Sequence, residues 1–109
     1  MNTELLGRLL THHLRDVSLE MCDGILAGRF ESPGHREHQA KLANLSAADR
    51  QRIFELVTYC VDGGINDFLH ACHRETDLLR QGDESVNPGS LYWGERGWLN
   101  RYSKFGASG

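Results

Sequence analysis

The sequence predicts an all-α fold: an antiparallel hairpin of two long helices with a C-terminal aromatic helix or extended element packed across it. Apolar residues recur at helical spacing over residues 3–27 and again over residues 46–79. Turn residues, Pro33 and Gly34, separate the two segments. Five of the nine aromatic residues cluster in residues 91–106, beyond both helices. These three observations indicate one helical domain spanning residues 1–109.

The first predicted helix covers residues 3–27, with Thr3 as its N-cap and Gly28 as its stop signal. Its main apolar face follows steps of three and four residues: Leu6, Leu10, His13, Leu14, Val17, Met21 and Ile25. A second stripe on roughly the opposite side holds Leu5, Leu19, Cys22 and Leu26. Because a helix that is apolar on two sides is either central in its bundle or shared between subunits, the second stripe predicts a homodimer through helix one.

The connecting segment, at about residues 29–45, is predicted to be a loop that contains a short polar stretch over 35–44. A single helical excursion anchored by Leu42 is the alternative. The second long helix begins at Ser46, because the Ser-x-x-Asp spacing to Asp49 is a helix-capping pattern. It is predicted to end near residue 79.

The buried face of this second helix is predicted from its apolar positions: Ile53, Val57, Cys60, Val61, Gly64, Ile65, Phe68 and Cys72. A glycine inside a helix costs about 1 kcal/mol relative to alanine, so it usually marks a close approach of another backbone. Gly24, Gly28 and Gly64 are therefore predicted to form a packing notch between the two helices. A kink near residues 62–64 is the competing interpretation.

A polar loop at about residues 80–90 leads into the aromatic segment. The spacing favours a helix over 98–105 preceded by an extended stretch at 91–93, with a hairpin as the alternative. The aromatic rings are expected to seal the open side of the two helices. If they are exposed instead, the segment offers residue types that dominate binding sites: Tyr92, Trp93, Arg96, Trp98, Arg101 and Tyr102.

The overall charge and the cysteines restrict the class of protein. A net charge of −3 argues against a nucleic-acid binder, which needs Lys and Arg to neutralise phosphates. No apolar run approaches the roughly 18 residues of a membrane span. Three widely spaced cysteines and the lack of a secretory signal predict free thiols and a cytoplasmic location.

A metal site is the main chemical candidate. His70 and His73 are three residues apart on one helical face, and Asp77 follows four residues after His73. Imidazole and carboxylate are ordinary ligands of divalent transition metals. The site would close only if His35 or His38 folds over it. The favoured interpretation is a solvated polar face, which the histidines share with Glu55, Asp62 and Asn66, and no cofactor.

No nucleophile elbow and no phosphate-binding loop is recognisable in the sequence. The sequence therefore favours a small, soluble, non-enzymatic interaction or regulatory domain of a bacterial, immunity- or adaptor-like type, with an unknown protein partner. The alternative function is a metal-binding helical protein that uses His70, His73 and Asp77.

Overall fold

The computed structural model describes residues 3–77, 79–81, 84–85 and 87–106, and it is mostly helical, as predicted. In chain order the elements are α1 (Thr3–Leu10), a π-helical turn (Thr11–Asp16), α2 (Val17–Ala27), α3 (Pro33–Lys41), α4 (Ala47–Glu75), the antiparallel strands β1 (Arg80–Gln81) and β2 (Glu84–Ser85), α5 (Pro88–Tyr92) and α6 (Trp98–Tyr102). Residues 82, 83 and 86 of the predicted loop at 80–90 lie outside the described residues.

Two of the predicted helix ends are confirmed. Gly28 has a φ of 72° and its amide donates to the carbonyls of Gly24 and Ile25, which ends α2. The Ser46 side chain accepts a hydrogen bond from the Asp49 amide at 3.1 Å, which begins α4. The end of α4, at Glu75, comes earlier than predicted.

Leu91 and Tyr92 are helical, so the prediction of an extended stretch at 91–93 is wrong for these two residues, while Trp93 is extended as predicted. Asn87 accepts a hydrogen bond from the Gly89 amide at 2.8 Å, and Pro88 occupies the first position of α5. An Asn-Pro pair is a helix start as well as a turn signal, because proline lacks only a donor that the first turn leaves unused. The last helix, α6, begins after Gly97 as predicted but ends at Tyr102.

Helix one is continuous from α1 through the π-helical turn into α2, and this turn changes which side of the helix is buried. A π-helical turn holds one residue more than an α-helical turn, so every position after it rotates by about 100°. The buried positions before and within the turn include Gly7 and Thr11. Near the end of the turn Arg15 is buried instead of Leu14, and beyond it the buried positions of α2 are Leu19, Gly24 and Leu26.

The two stripes predicted on helix one therefore exchange places along α2. Leu19 is fully buried and Leu26 is 9% exposed, although both belong to the stripe assigned to a homodimer. Leu14, Val17 and Met21, predicted as core, are 44–46% exposed. Leu19 and Leu26 are covered within the chain and so are not shared with another subunit, whereas Leu5 of the same stripe is 48% exposed.

On α4, too, several buried positions differ from the predicted ones. Its buried positions are Thr58, Asp62, Ile65, Leu69 and Cys72. Cys60, Gly64 and Phe68, which the sequence places in the core, are exposed. Asp62, which the sequence places on the solvent face, is 5% exposed. A charge at the centre of an apolar face is tolerated only when it is paired, and the pairing partner is Arg15.

The main core joins α4 to the C-terminal elements. Its buried members are Ile65, Leu69, Cys72, Leu79, Tyr92, Trp98 and Leu99. Gly7 of α1 lies directly against Trp98, since a Cβ built on Gly7 would be 2.3 Å from the indole ring. Helix one therefore contacts the indole through a position with no side chain.

The glycines predicted to form a notch between the long helices do not do so. Gly24 lies against the Phe30 ring, where a Cβ would be 2.4 Å from Cε2. A Cβ on Gly28 or Gly64 would meet nothing within 4 Å. Gly64 lies within an uninterrupted α-helix and the notch does not account for it, while the predicted kink near residues 62–64 stays a prediction.

The molecule is elongated. Its principal dimensions are 54 × 26 × 21 Å and its radius of gyration is 16.2 Å. A compact domain of this length has a radius of gyration of about 13 Å. The long helices are thus covered over part of their circumference only.

Candidate functional site

A buried ion pair joins helix one to α4. Arg15 Nε donates to Asp62 Oδ1 at 2.6 Å, and Arg15 Nη2 donates to Asp62 Oδ2 at 3.2 Å. The Arg15 side chain is fully buried and that of Asp62 is 7% exposed. A two-point contact of this kind fixes both the distance and the orientation of the two helices.

The same arginine also holds the chain that follows α6. Arg15 Nη1 donates to Ser103 Oγ at 2.9 Å and to the Gly106 carbonyl at 2.7 Å. The neighbouring Asp16 accepts from the Ser103 hydroxyl at 2.6 Å and from the Lys104 amide at 3.0 Å. Both charged residues of the π-helical turn are therefore used to attach the C-terminal segment.

Tyr92 completes this network from α5. Its hydroxyl donates to Asp62 Oδ1 at 2.5 Å, and the residue is fully buried. Burial, and then the hydrogen bond to Asp62, raise the pKa of Tyr92 far above its usual range. The phenol thus stays protonated and acts as a donor. Because these groups are enclosed and bonded to one another, the network positions four segments of the chain.

The six residues proposed from sequence as a C-terminal binding surface divide into a buried pair, an exposed pair and a pair bonded to helix one. Tyr92 and Trp98 are fully buried, so they belong to the core and present no surface to a partner. Trp93 is 38% exposed, and Arg96 is also exposed. The buried pair supports the favoured expectation that aromatic rings cover the long helices.

Arg101 and Tyr102 attach α6 to the start of helix one. Arg101 donates to both carboxylate oxygens of Glu4, at 2.7 and 3.0 Å, and the Tyr102 hydroxyl also donates to Glu4. The hydrogen bonds from Arg101 and then Tyr102 lower the pKa of Glu4. The His12 ring nitrogen lies 3.1 Å from the Tyr102 carbonyl oxygen. The side chains of Arg101 and Tyr102 are therefore bound to Glu4 of the same chain.

The predicted metal ligands lie near the end of α4. His70 is half-buried, while His73 and Asp77 are exposed. Across residues 3–77, 79–81, 84–85 and 87–106, no group of three or more His, Cys, Asp or Glu side chains is arranged to hold a metal. Metal binding by this set stays a prediction.

The loop histidines do not close that set. His35 Nδ1 lies 2.7 Å from the Ser32 hydroxyl, and its ring packs against Phe30. His38 lines a groove together with Val57. Val57 precedes His70 by 13 residues of the same helix, which is about 20 Å along its axis. Neither loop histidine therefore closes a site around His70 in the described part of the chain.

The groove beside His38 is a predominantly apolar concavity. It encloses about 430 Å³ between α2, α3 and α4. Its lining consists of Val17, Ser18, Met21, Cys22, Ile25, Leu26, His38, Leu42, Ile53 and Val57. None of these lining residues is Asp, Glu, Lys or Arg, so the groove favours an apolar surface over a charged ligand. Burial in this wall raises the pKa of the Cys22 thiol, which stays protonated.

The apolar surface continues beyond the groove along α4. Gly64 and Phe68 follow Val57 by seven and eleven residues, which places them within about 20° of it on the helix. Phe68 is 48% exposed and Gly64 is exposed. We call the whole surface the open face, and its members are Leu14, Val17, Met21, Ile25, Ile53, Val57, Gly64 and Phe68.

Sequence reasoning missed both the buried network and the exposure of the open face. One available signal was the recurrence of small or polar residues every four positions, at Thr3, Gly7, Thr11 and Arg15. Four steps of an α-helix overshoot a full turn by about 40°, so this repeat fits one side only if the helix is locally underwound. A second signal was Asp62, which lies three residues before Ile65 and seven before Leu69 and therefore shares their side of α4.

Comparison of the chain with protein-family models, curated proteins and solved structures found no match in any of the three. Among the described helices, none combines the length and the apolar character needed to cross a membrane. The surfaces of the chain itself are therefore the evidence for a function.

Proposed function

We propose that this chain is a non-enzymatic, adaptor-like protein-interaction domain that binds its partner through the open face. In this proposal the two long helices form a hairpin with one side covered by α5 and α6 and the other side available. The observation that carries the proposal is the groove between α2, α3 and α4, which is continuous with exposed large apolar side chains. Extended apolar surfaces of this kind mark interaction sites in folded proteins.

The arrangement of charges supports the same function. The buried Arg15–Asp62 pair holds the long helices in fixed relative positions, so the open face is rigid before it meets a partner. A preformed surface loses little conformational entropy on binding. The apolar residues of α2 reach this surface because the π-helical turn rotates them away from the core.

A photo-crosslinking amino acid at Met21 tests the proposal, with the same amino acid at Tyr59 as the matched control. Met21 lines the groove, whereas Tyr59 is 77% exposed and lies about 160° from Val57 on α4. We expect a discrete crosslinked species in native cell extract from position 21 and none from position 59. The charged substitution Val17→Glu should abolish the species while the unfolding midpoint stays unchanged.

The absence of a crosslinked species at position 21 would contradict the proposal. Identical products from positions 21 and 59 would also contradict it, because they would indicate nonspecific adhesion.

A further inference from the structure

We infer that the occupant of the open face is a second copy of this chain, packed so that the two copies approach most closely at Gly64. This inference rests on the proposed function, because it names the partner of the same surface. Three independent features of the chain lead to it: its accessible area, the lack of charge in the groove and the position of one glycine.

The first feature is the accessible area of the isolated chain, which is 7085 Å². A compact monomer of 12.3 kDa exposes about 6,100 Å², so this chain exposes about 1,000 Å² more than its mass requires. A stable interface of standard size removes about 800 Å² from each partner. The excess therefore matches what one copy contributes to a dimer.

The second feature is the character of the lining. No residue that lines the groove is Asp, Glu, Lys or Arg. In a two-fold symmetric dimer the same patch meets itself, so any charge near the axis faces an identical charge. An uncharged apolar face avoids that repulsion. A partner with a basic or acidic docking element would find no complementary charge in the groove.

The third feature is Gly64, at the centre of α4. A glycine inside a helix costs about 1 kcal/mol relative to alanine, and it persists where a backbone must approach closely. Within the chain nothing approaches Gly64, because a Cβ there would meet no atom within 4 Å. Gly64 lies on the open face between Val57 and Phe68. A second helix crossing at this point would account for the missing side chain.

The neighbouring glycine provides a matched control. Gly63 lies in the same helical turn, and a Cβ there would also meet nothing within 4 Å. It points about 120° away from Val57, off the open face. Replacing either glycine by leucine raises helix propensity by a similar amount. Only the Gly64 replacement places a side chain between the two copies.

The test is the molar mass of the full chain by sedimentation equilibrium over a hundredfold range of concentration. We expect a mass of two chains for the native protein and for Gly63→Leu. Gly64→Leu should raise the dissociation constant about tenfold or more, with the helical signal of circular dichroism retained. Val17→Glu should also produce single chains, whereas Tyr59→Glu should leave the dimer intact.

A single-chain mass at every concentration would overturn the inference, as would an equal response of the two leucine variants. The crosslinking experiment separates this failure from failure of the proposed function. A product at position 21 that contains a different protein, together with a monomeric chain, would reject the second copy and retain the interaction surface. A product of twice the chain mass supports both.

Discussion

Arg15 and Asp62 form a two-point ion pair inside the molecule, although the sequence places neither of them in the core. Arg15 also binds the chain after α6, and Asp62 also accepts from Tyr92. The pair therefore connects helix one, α4, α5 and the C-terminal segment at one point. Its energetic value depends on both partners being present.

Loss of one partner is expected to be costly. Asp62→Asn leaves the guanidinium of Arg15 buried without its counter-charge, and removal of one partner of a buried pair costs about 3–5 kcal/mol. Urea unfolding should show this loss in the free energy of unfolding. The double variant Arg15→Met with Asp62→Leu should recover part of it, because no uncompensated charge remains. Asp67→Asn, at an exposed position of α4, should have little effect, and an equally large loss there would contradict the assignment.

The contact between Gly7 and Trp98 predicts an unusual sign for a glycine-to-alanine change. In an open helix position this change stabilises by about 1 kcal/mol. At Gly7 the new Cβ would be 2.3 Å from the indole, so we expect overpacking and a loss of about 1–3 kcal/mol. Thermal unfolding followed by tryptophan fluorescence measures the effect. Gly63→Ala is the control and should stabilise; a stabilised Gly7→Ala would refute the contact.

The two tryptophans should differ sharply when each is replaced by alanine. Trp98 is fully buried, and truncating a buried aromatic ring to alanine costs about 3–5 kcal/mol. Trp93 is 38% exposed, so Trp93→Ala should cost about 1 kcal/mol or less. Equilibrium unfolding of the two variants measures both free-energy differences. A cost of about 1 kcal/mol or less for Trp98→Ala would mean that α6 is not part of the core.

The attachment of α6 through Glu4 should depend on pH. The pKa of Glu4 is lowered in the folded state by its hydrogen bonds from Arg101 and Tyr102. The stabilisation is therefore complete above the usual pKa of a glutamate and is lost as the pH falls through the lowered value. Because the pair is partly exposed, we expect about 1 kcal/mol or less.

The variant Glu4→Gln isolates this contribution. Its difference from the native protein in the free energy of unfolding should be present at neutral pH and should vanish in acid. Nuclear magnetic resonance titration of the Glu4 carboxyl provides a direct check. A difference that is constant across the pH range would show that the carboxylate charge is not responsible.

The parts of the fold that depend on local chemistry were predictable from the sequence. Ser46, Gly28 and Gly97 mark helix ends through backbone geometry that does not depend on the rest of the chain. The two-sided apolar character of helix one was also visible, because it follows from composition and spacing alone.

The assignment of sides was not predictable by the same reasoning. A helical projection at a constant 100° per residue carries the face from Leu10 to Leu14, but the π-helical turn places Arg15 inside instead. Likewise, a rule that places charged residues on the surface assigns Asp62 to the solvent face. The sequence does not reveal its buried partner Arg15, because the two residues are 47 positions apart. The candidate site was missed for this reason: the open face consists largely of residues that the constant projection assigns to the core.

The π-helical turn of residues 11–16 also determines how this chain tolerates changes in length. Deletion of one codon there, for example that of His13, would remove the extra residue and restore a regular helix, while α2 would keep its present sides relative to α1. Arg15 would then still face Asp62. The same deletion inside the regular part of α1 would instead turn every residue beyond it by about 100°, which exchanges the inner and outer sides of half a helix. The one extra residue of the π-helical turn thus determines which residues of α2 belong to the open face.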